Sequence, residues 1–165
     1  MRQGLMLLLA VLALAGCARA LVKGYDGPDR PLPELAVLQG VDSYDDLSPS
    51  TEVRIGSVDG VRRAGYRVSV LPGSHTVGLK QTRQFGRAKH VQFCSLDLDT
   101  APGCLYTPMP PEPPPASLTT GGAGNWQWSP ELPVKIQCAG GGLHMLRLPA
   151  RCGAAEKLLD ERTSR

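Results

Sequence analysis

The residues of this 165-residue chain whose chemistry could be put to use are five cysteines, three histidines, two groups of carboxylates and one tryptophan pair. Cys17 stands alone near the start, whereas Cys94, Cys104, Cys138 and Cys152 lie in the second half. A thiol can be alkylated, can pair oxidatively, or can bind zinc as the thiolate. Zinc held by the later four with His90 or His144 would need close-set ligands, and the spacing contains no CxxC pair. Asp42, Asp45 and Asp46 could offer oxygens to calcium, which takes six to eight, but no EF-hand spacing or turn glycine follows them. They read as a solvated loop. Catalysis needs a nucleophile held by a base, or paired carboxylates in a pocket. His75, His90 and His144 each fall on a predicted strand or strand start, and Asp97 and Asp99 share one strand face with no facing acid in sight. His75 is expected to hydrogen-bond a turn rather than move protons. GxSxG, HExxH, the P-loop and the dinucleotide fingerprint are all missing. The reading is therefore non-enzymatic, with no catalytic residue, no metal site and no cofactor. Trp126 and Trp128 put two indoles on one face of an extended segment. Such a pair stacks on a sugar ring, sits at a membrane interface, or packs at a core edge. It is the best candidate binding feature of the chain.

Cys17 is positioned by what precedes it. Met1 and Arg2 supply positive charge, and Leu5 to Ala15 is an apolar run without a polar side chain. A bilayer-spanning helix needs about 20 apolar residues, so this run is too short to cross. A positive start, a short apolar stretch and small residues at its end describe an export signal. Leu14-Ala15-Gly16-Cys17 also resembles the bacterial lipobox. That resemblance implies a diacylglycerol on the Cys17 sulfur, cleavage between Gly16 and Cys17, and acylation of the new amine. Two or more acyl chains hold a protein stably on a membrane. Ala18 after the cysteine, where an aspartate would act as a retention signal, resembles lipoproteins released to the outer membrane, facing the periplasm. In a single-membrane host the same motif means the outer face of that membrane. An ordinary secretory signal followed by a coincidental cysteine is the bland alternative.

Removal of residues 1–16 leaves a chain of one-domain size. Arg2 leaves with it, so the 15 acidic residues are exceeded by only two basic ones. That near balance argues against nucleic acid as a partner. The 19 glycines and 15 prolines, with few aromatics, make a turn-rich composition, more β than α. Four cysteines remaining in an exported chain read as two disulfides. Cys94–Cys104 and Cys138–Cys152 are the expected pairs, because each brackets a short segment with glycine near a turn. Cys94–Cys138, linking two strands across a sandwich, is the second choice.

Residues 17–33 read as a tether, since Gly24, Gly27, Pro28, Pro31 and Pro33 interrupt regular structure. Residues 34–152 read as a small antiparallel β-sandwich, beginning with Glu34 to Leu38. Val53 and Ile55 alternate with Glu52 and Arg54, and Asp59-Gly60 is a hairpin turn signal because such turns need φ > 0. Tyr66, Val68 and Val70 are expected inward. Leu71-Pro72-Gly73-Ser74 reads as a type II turn, followed by a strand with Val77 and Leu79 inward. Lys80, Arg83, Arg87 and Lys89 mark a basic connection that would suit anionic lipid heads or lipopolysaccharide, or merely water. His90 to Cys94 reads as a strand, then Ser95 to Thr100 as polar chain. Residues 107–124, with Pro110 to Pro115, form a low-complexity insertion that favours polyproline II. It reads as a spacer, or as a ligand for an aromatic groove. Pro133 to Cys138 and Leu143 to Leu148 flank Ala139 to Gly142 as a second hairpin. Residues 153–165 are a tail, with a short frayed helix at Ala154 to Asp160.

Val58-Asp59-Gly60, followed by Val70-Leu71-Pro72-Gly73-Ser74-His75-Thr76-Val77, resembles a family of small uncharacterised bacterial lipoproteins. Their pattern is an I-D-G hairpin followed by an L-P-G-x-H-x-V strand. Tyr25-Asp26-Gly27-Pro28 with Leu32-Pro33-Glu34-Leu35-Ala36 matches the opening of that family. The likeness spans residues 24–80 and 133–148, and related PEGA-type domains are small β-sandwiches with the same turn. The resemblance implies a PEGA-like or Ig-like fold and a lipid anchor, and it names no substrate. The sequence therefore points to a lipid-anchored envelope protein that binds another envelope protein, peptidoglycan or lipopolysaccharide. The second reading is an accessory hydrolase or inhibitor acting on the cell wall.

Overall fold

The computed structural model describes residues 20–43, 50–85, 88–110 and 131–153. Among them are eleven strands and one short 3-10 turn, Leu32–Glu34. The strands are β1 (Leu21–Lys23), β2 (Ala36–Gln39), β3 (Val41–Ser43), β4 (Ser50–Val58), β5 (Val61–Gly65), β6 (Arg67–Val70), β7 (Gly73–Phe85), β8 (Ala88–Thr100), β9 (Cys104–Pro108), β10 (Glu131–Cys138) and β11 (Leu143–Gly153). The protein is mainly β, as its composition implies. The signal segment and the expected C-terminal helix lie outside the described residues.

One strand path, β1-β6-β2-β9-β10-β11-β8-β7-β4-β3, runs through the sheet, with β5 added to β4. The sheet curls into a half-barrel. It bends where β11 changes partner: Leu143 to Pro149 pair with β10, and Ala150 to Gly153 pair with β8. Pro149 has no amide hydrogen to give a second neighbour, which suits a point where one limb parts from the other. Pairing is not uniformly antiparallel, because β1–β6 and β2–β9 are parallel. Leu21–Lys23 therefore belongs to the sheet, although its Gly- and Pro-rich surroundings read as tether. Three residues bearing a full backbone register with β6 outweigh the breakers that follow them.

Alternation places the core. Val53 and Ile55 on β4, Val68 and Val70 on β6, and Val77 and Leu79 on β7 are buried, as their period-two spacing requires. Leu38, Leu96, Leu98, Tyr106, Leu132 and Val134 join them in one continuous cluster lined by both limbs. Burying each such side chain contributes about 1.5–3 kcal/mol. Tyr66 departs from expectation: it is half-buried at a bend between β5 and β6. Ser95 to Thr100 also departs, since it continues β8 with Leu96, Leu98 and Thr100 inward and Asp97 and Asp99 outward.

Two positions carry the bends. Asp59 and Gly60 both have positive φ, 51° and 77°, as the two-residue β4–β5 hairpin needs. Gly40 passes the chain from β2 in one limb to β3 in the other. A Cβ there would sit 2.2 Å from the Val53 carbonyl oxygen, so only glycine fits the crossing.

The sheet has two unlike ends. The turns after β4, β6, β8 and β10 all lie at one end, hereafter the turn end. At the other, the far end, β1 begins, β3, β7 and β9 end, and β4, β8 and β10 begin.

Candidate functional site

The four later cysteines are all oxidised, and their partners differ from those expected. Cys94 bonds Cys152, and Cys104 bonds Cys138, each pair with Cα atoms 4.0 Å apart. The reason is register. Cys152 lies opposite Cys94 on β11–β8, and Cys138 lies opposite Cys104 on β10–β9. Cys94–Cys104 and Cys138–Cys152 would join residues at different levels of the sheet, and so would Cys94–Cys138. With these four thiols paired, no cysteine among the described residues remains to hold zinc. Among the described residues no three His, Cys, Asp or Glu side chains gather as a metal requires.

Around His75 several polar groups join in one cluster. His75 Nδ1 lies 2.7 Å from Asp59 Oδ2, and its Nε2 lies 2.7 Å from the Leu71 carbonyl oxygen. Asp59 Oδ1 accepts from the Thr76 amide at 2.9 Å, and the Thr100 hydroxyl donates to the Leu71 and Gly73 carbonyls, 3.1 Å each. Both ring neighbours of His75 are acceptors, so both bonds form together only when each nitrogen carries a hydrogen. Burial pushes the Asp59 carboxyl up, but the His75 hydrogen bond, the Thr76 amide and the His75 charge outweigh it, leaving it below its ordinary 3.8. This cluster ties the β4–β5 turn to the β6–β7 corner. It explains why a D-G turn and an L-P-G-x-H segment go together in the sequence. Gly73, expected in the left-handed position, has φ 138°, still a glycine conformation, where the chain crosses between limbs.

Asp97 and Asp99 face the other way. Opposite Asp97 and Asp99 on β7 are Thr76 and Ser74, whereas His75 lies opposite Leu98 on the other face. Asp97 accepts from Thr76 Oγ1 at 2.8 Å and from both Arg151 terminal nitrogens at 3.1 and 3.3 Å. The Arg151 and Thr76 bonds hold its carboxyl below the ordinary range. Ser74 donates to Asp99. Strand alternation thus separates the histidine from these acids, and no acid–base pair forms there.

Toward the far end the core turns polar. Thr51, Gln81, Arg83 and Gln92 are buried, with Arg83 Nε donating to Thr51 Oγ1 at 3.3 Å. Burial lowers the Arg83 guanidinium below its usual value. The expected solvated basic connection is accordingly strand as far as Phe85, with Arg83 inside and Lys80 outside. Nearby, Tyr66 and Arg54 both donate to Glu52, and the Arg54 guanidinium lies 4.6 Å above the Tyr66 ring.

Two surface features stand out beyond these. A cleft of about 400 Å³ lies outside β2, β9 and β10, lined by Gln39, Val41, Asp42, Thr107 and Lys135 among others. On β11, Leu143, Met145 and Leu146 are exposed by 58%, 56% and 46%. Leu143 and Met145 face one side of the arm and Leu146 the other, and among the described residues no strand pairs with the outer edge of Leu143 to Leu148. The clean alternation of this stretch announced a hairpin but not that one edge would stay open.

Cys17, Trp126 and Trp128 lie outside the described residues, as does residue 111 onward of the Pro-rich insertion. No helix among the described residues is long and apolar enough to cross a membrane. Comparison of the chain with protein-family models, curated proteins and solved structures finds no match.

Proposed function

We propose that this protein is a lipid-anchored module of the bacterial cell envelope, held by diacylglycerol on Cys17, with a non-enzymatic binding role at the outer membrane facing the periplasm. The observation that carries the reading is the pair of cystine bridges in a β-rich body behind a lipobox. Such bridges persist in oxidising compartments, where an exported lipoprotein resides. The two limbs face each other across one core, which supports reading the curled sheet as a relative of a PEGA-like or Ig-like sandwich. Both His75 nitrogens are engaged by structural acceptors, which favours binding over wall hydrolysis.

The partner best suited to the geometry is an extended strand of another envelope protein, added to the open edge of β11. Among the described residues that edge has no partner strand, and it has apolar side chains on both faces. The open stretch carries His144 and Arg147 and no acidic residue, so an apolar strand with acidic residues complements it. Peptidoglycan and lipopolysaccharide fit an open backbone edge less well.

Two experiments test the reading. Labelled palmitate should mark the native chain and not Cys17→Ala; label retained by the variant refutes the anchor. A photo-crosslinking residue at Met145 should give a discrete protein adduct in intact cells, while one at Val61, another exposed apolar position, should not. Adducts to glycan or lipopolysaccharide, or equal labelling at both positions, refute the strand partner.

A further inference from the structure

We propose that the cleft outside β2, β9 and β10 binds a short peptide with free termini, about three residues long. The site stands apart from the open edge of β11 and does not depend on the lipid anchor. Register builds it. Lys135 lies opposite Thr107 and Gln137 opposite Leu105, and Leu105 lies beside Val37 in the parallel β2–β9 pair. Leu38, Tyr106 and Val134 belong to the core, so the residues that alternate with them face outward. Gln39, Leu105, Thr107, Met109, Lys135 and Gln137 accordingly form the floor of the cleft. Gly40 then carries the chain across to β3, and Val41 and Asp42 form a wall beside Gln39.

Among the described residues the lining holds one cation, Lys135, and one anion, Asp42. From β10, which bears Lys135, to β2 at the foot of the wall is two strand spacings of about 4.8 Å, together about 10 Å. An extended peptide covers about 3.3–3.6 Å per residue, so three residues span that distance. The carboxylate of such a peptide lies at Lys135 and its ammonium at Asp42. Between the two charges, Gln39 and Gln137 offer amides that both donate and accept, as peptide groups require. Thr107, buried in the floor, adds a hydroxyl. Among the described residues, none of these three side chains, nor that of Lys135, is engaged by another side chain. Leu105 and Met109 give the middle side chain of the peptide an apolar seat. The volume, about 400 Å³, falls among small-ligand sites, which hold about 300–1,000 Å³. Other ligands fit less well. A polyanion is repelled by Asp42, and no aromatic ring among the described lining residues offers a face to a sugar. Arg67, opposite Gln39 on β6, is not part of the lining.

Calorimetric titration of the full-length protein in detergent with the tripeptide Ala-Leu-Ala tests the site. Saturable binding is expected for the peptide with free termini. The same peptide acetylated and amidated should bind about tenfold more weakly or worse, since each lost charge-assisted bond costs about that factor. Lys135→Met should weaken the free peptide by about tenfold and leave its C-terminal amide unchanged. Asp42→Asn should weaken the free peptide in the same way and leave its N-acetyl form unchanged. No saturable binding of Ala-Leu-Ala, or equal affinity for the blocked peptide, overturns the proposal. So does a variant that weakens free and matching blocked peptide alike. Binding of maltose or inorganic phosphate in place of the peptide overturns the ligand class. The comparison of free with blocked peptide uses the native chain, so it decides the matter even where a variant does not fold. Refutation of the anchor by the palmitate experiment leaves this site standing.

Discussion

Replacing both members of one bridge, Cys104→Ala with Cys138→Ala, should cost this domain a large share of its stability. The bridge spans 34 residues of sequence and the other spans 58. Constraining the unfolded chain over such loops gives about 3.8 and about 4.2 kcal/mol at 25 °C in the chain-entropy relation. Cys104 is buried, so lost sulfur contacts add to the first figure. A domain of this size holds about 5–15 kcal/mol in all. Urea unfolding of the lipid-free domain, followed by far-ultraviolet circular dichroism without reductant, reads the difference. Thiol titration accompanies it. The Cys104→Ala, Cys138→Ala variant should show no free thiol, since Cys94 and Cys152 remain paired. The crossed variant Cys94→Ala, Cys104→Ala should show two, because Cys138 and Cys152 sit at different levels of the sheet. A bridge in the crossed variant, or a loss below about 1 kcal/mol in the matched one, would refute the register argument.

Other expectations follow from single contacts. Gly40→Ala should destabilise by more than about 1 kcal/mol, since its Cβ would press on the Val53 carbonyl; unchanged thermal unfolding would sink the crossing argument. Leu38→Ala removes a fully buried side chain and should cost about 2–5 kcal/mol in urea unfolding. Gln81 is fully buried, with neither side-chain polar atom bonded, so Gln81→Met should raise stability by about 1 kcal/mol; a loss would mean the amide is satisfied in solution. Asp59→Asn keeps the turn preference and removes the charge beside His75. Because the folded Asp59 carboxyl titrates below its ordinary 3.8, its contribution is present above that pH and lost as pH falls through the lower folded value. The stability gap between native protein and variant should therefore close as pH falls from about 4 into stronger acid. A gap that widens on acidification contradicts the contact.

What could be read from the chain was local. Asp59-Gly60 announced its turn because φ > 0 leaves few residue choices, and period-two spacing placed Val53, Ile55, Val77 and Leu79 inward. His75 was legible as a turn-binding residue because it follows L-P-G, although its Asp59 partner lies 16 residues back. What could not be read depends on register between distant strands. The bridge partners are fixed by the β8–β11 and β9–β10 pairings, which no spacing within a short loop reveals. The parallel pairing of β1 with β6 hides in a Gly- and Pro-rich stretch. The curl hinges on β11 changing neighbours at Pro149-Ala150, and nothing in its alternation marks that change. Ser95 to Thr100 looked polar because half its side chains face water, while Leu96 and Leu98 complete the core.

The central claim is that Cys17 is a lipid-bearing first residue of an oxidised β body. Intact mass spectrometry of the chain extracted with detergent from the membranes of its own host tests it most directly. The account predicts a polypeptide starting at Cys17, with a mass gain of diacylglycerol on sulfur and four cysteines that resist alkylation until reduced. A chain that retains Met1 to Gly16, or that begins elsewhere without lipid, contradicts it.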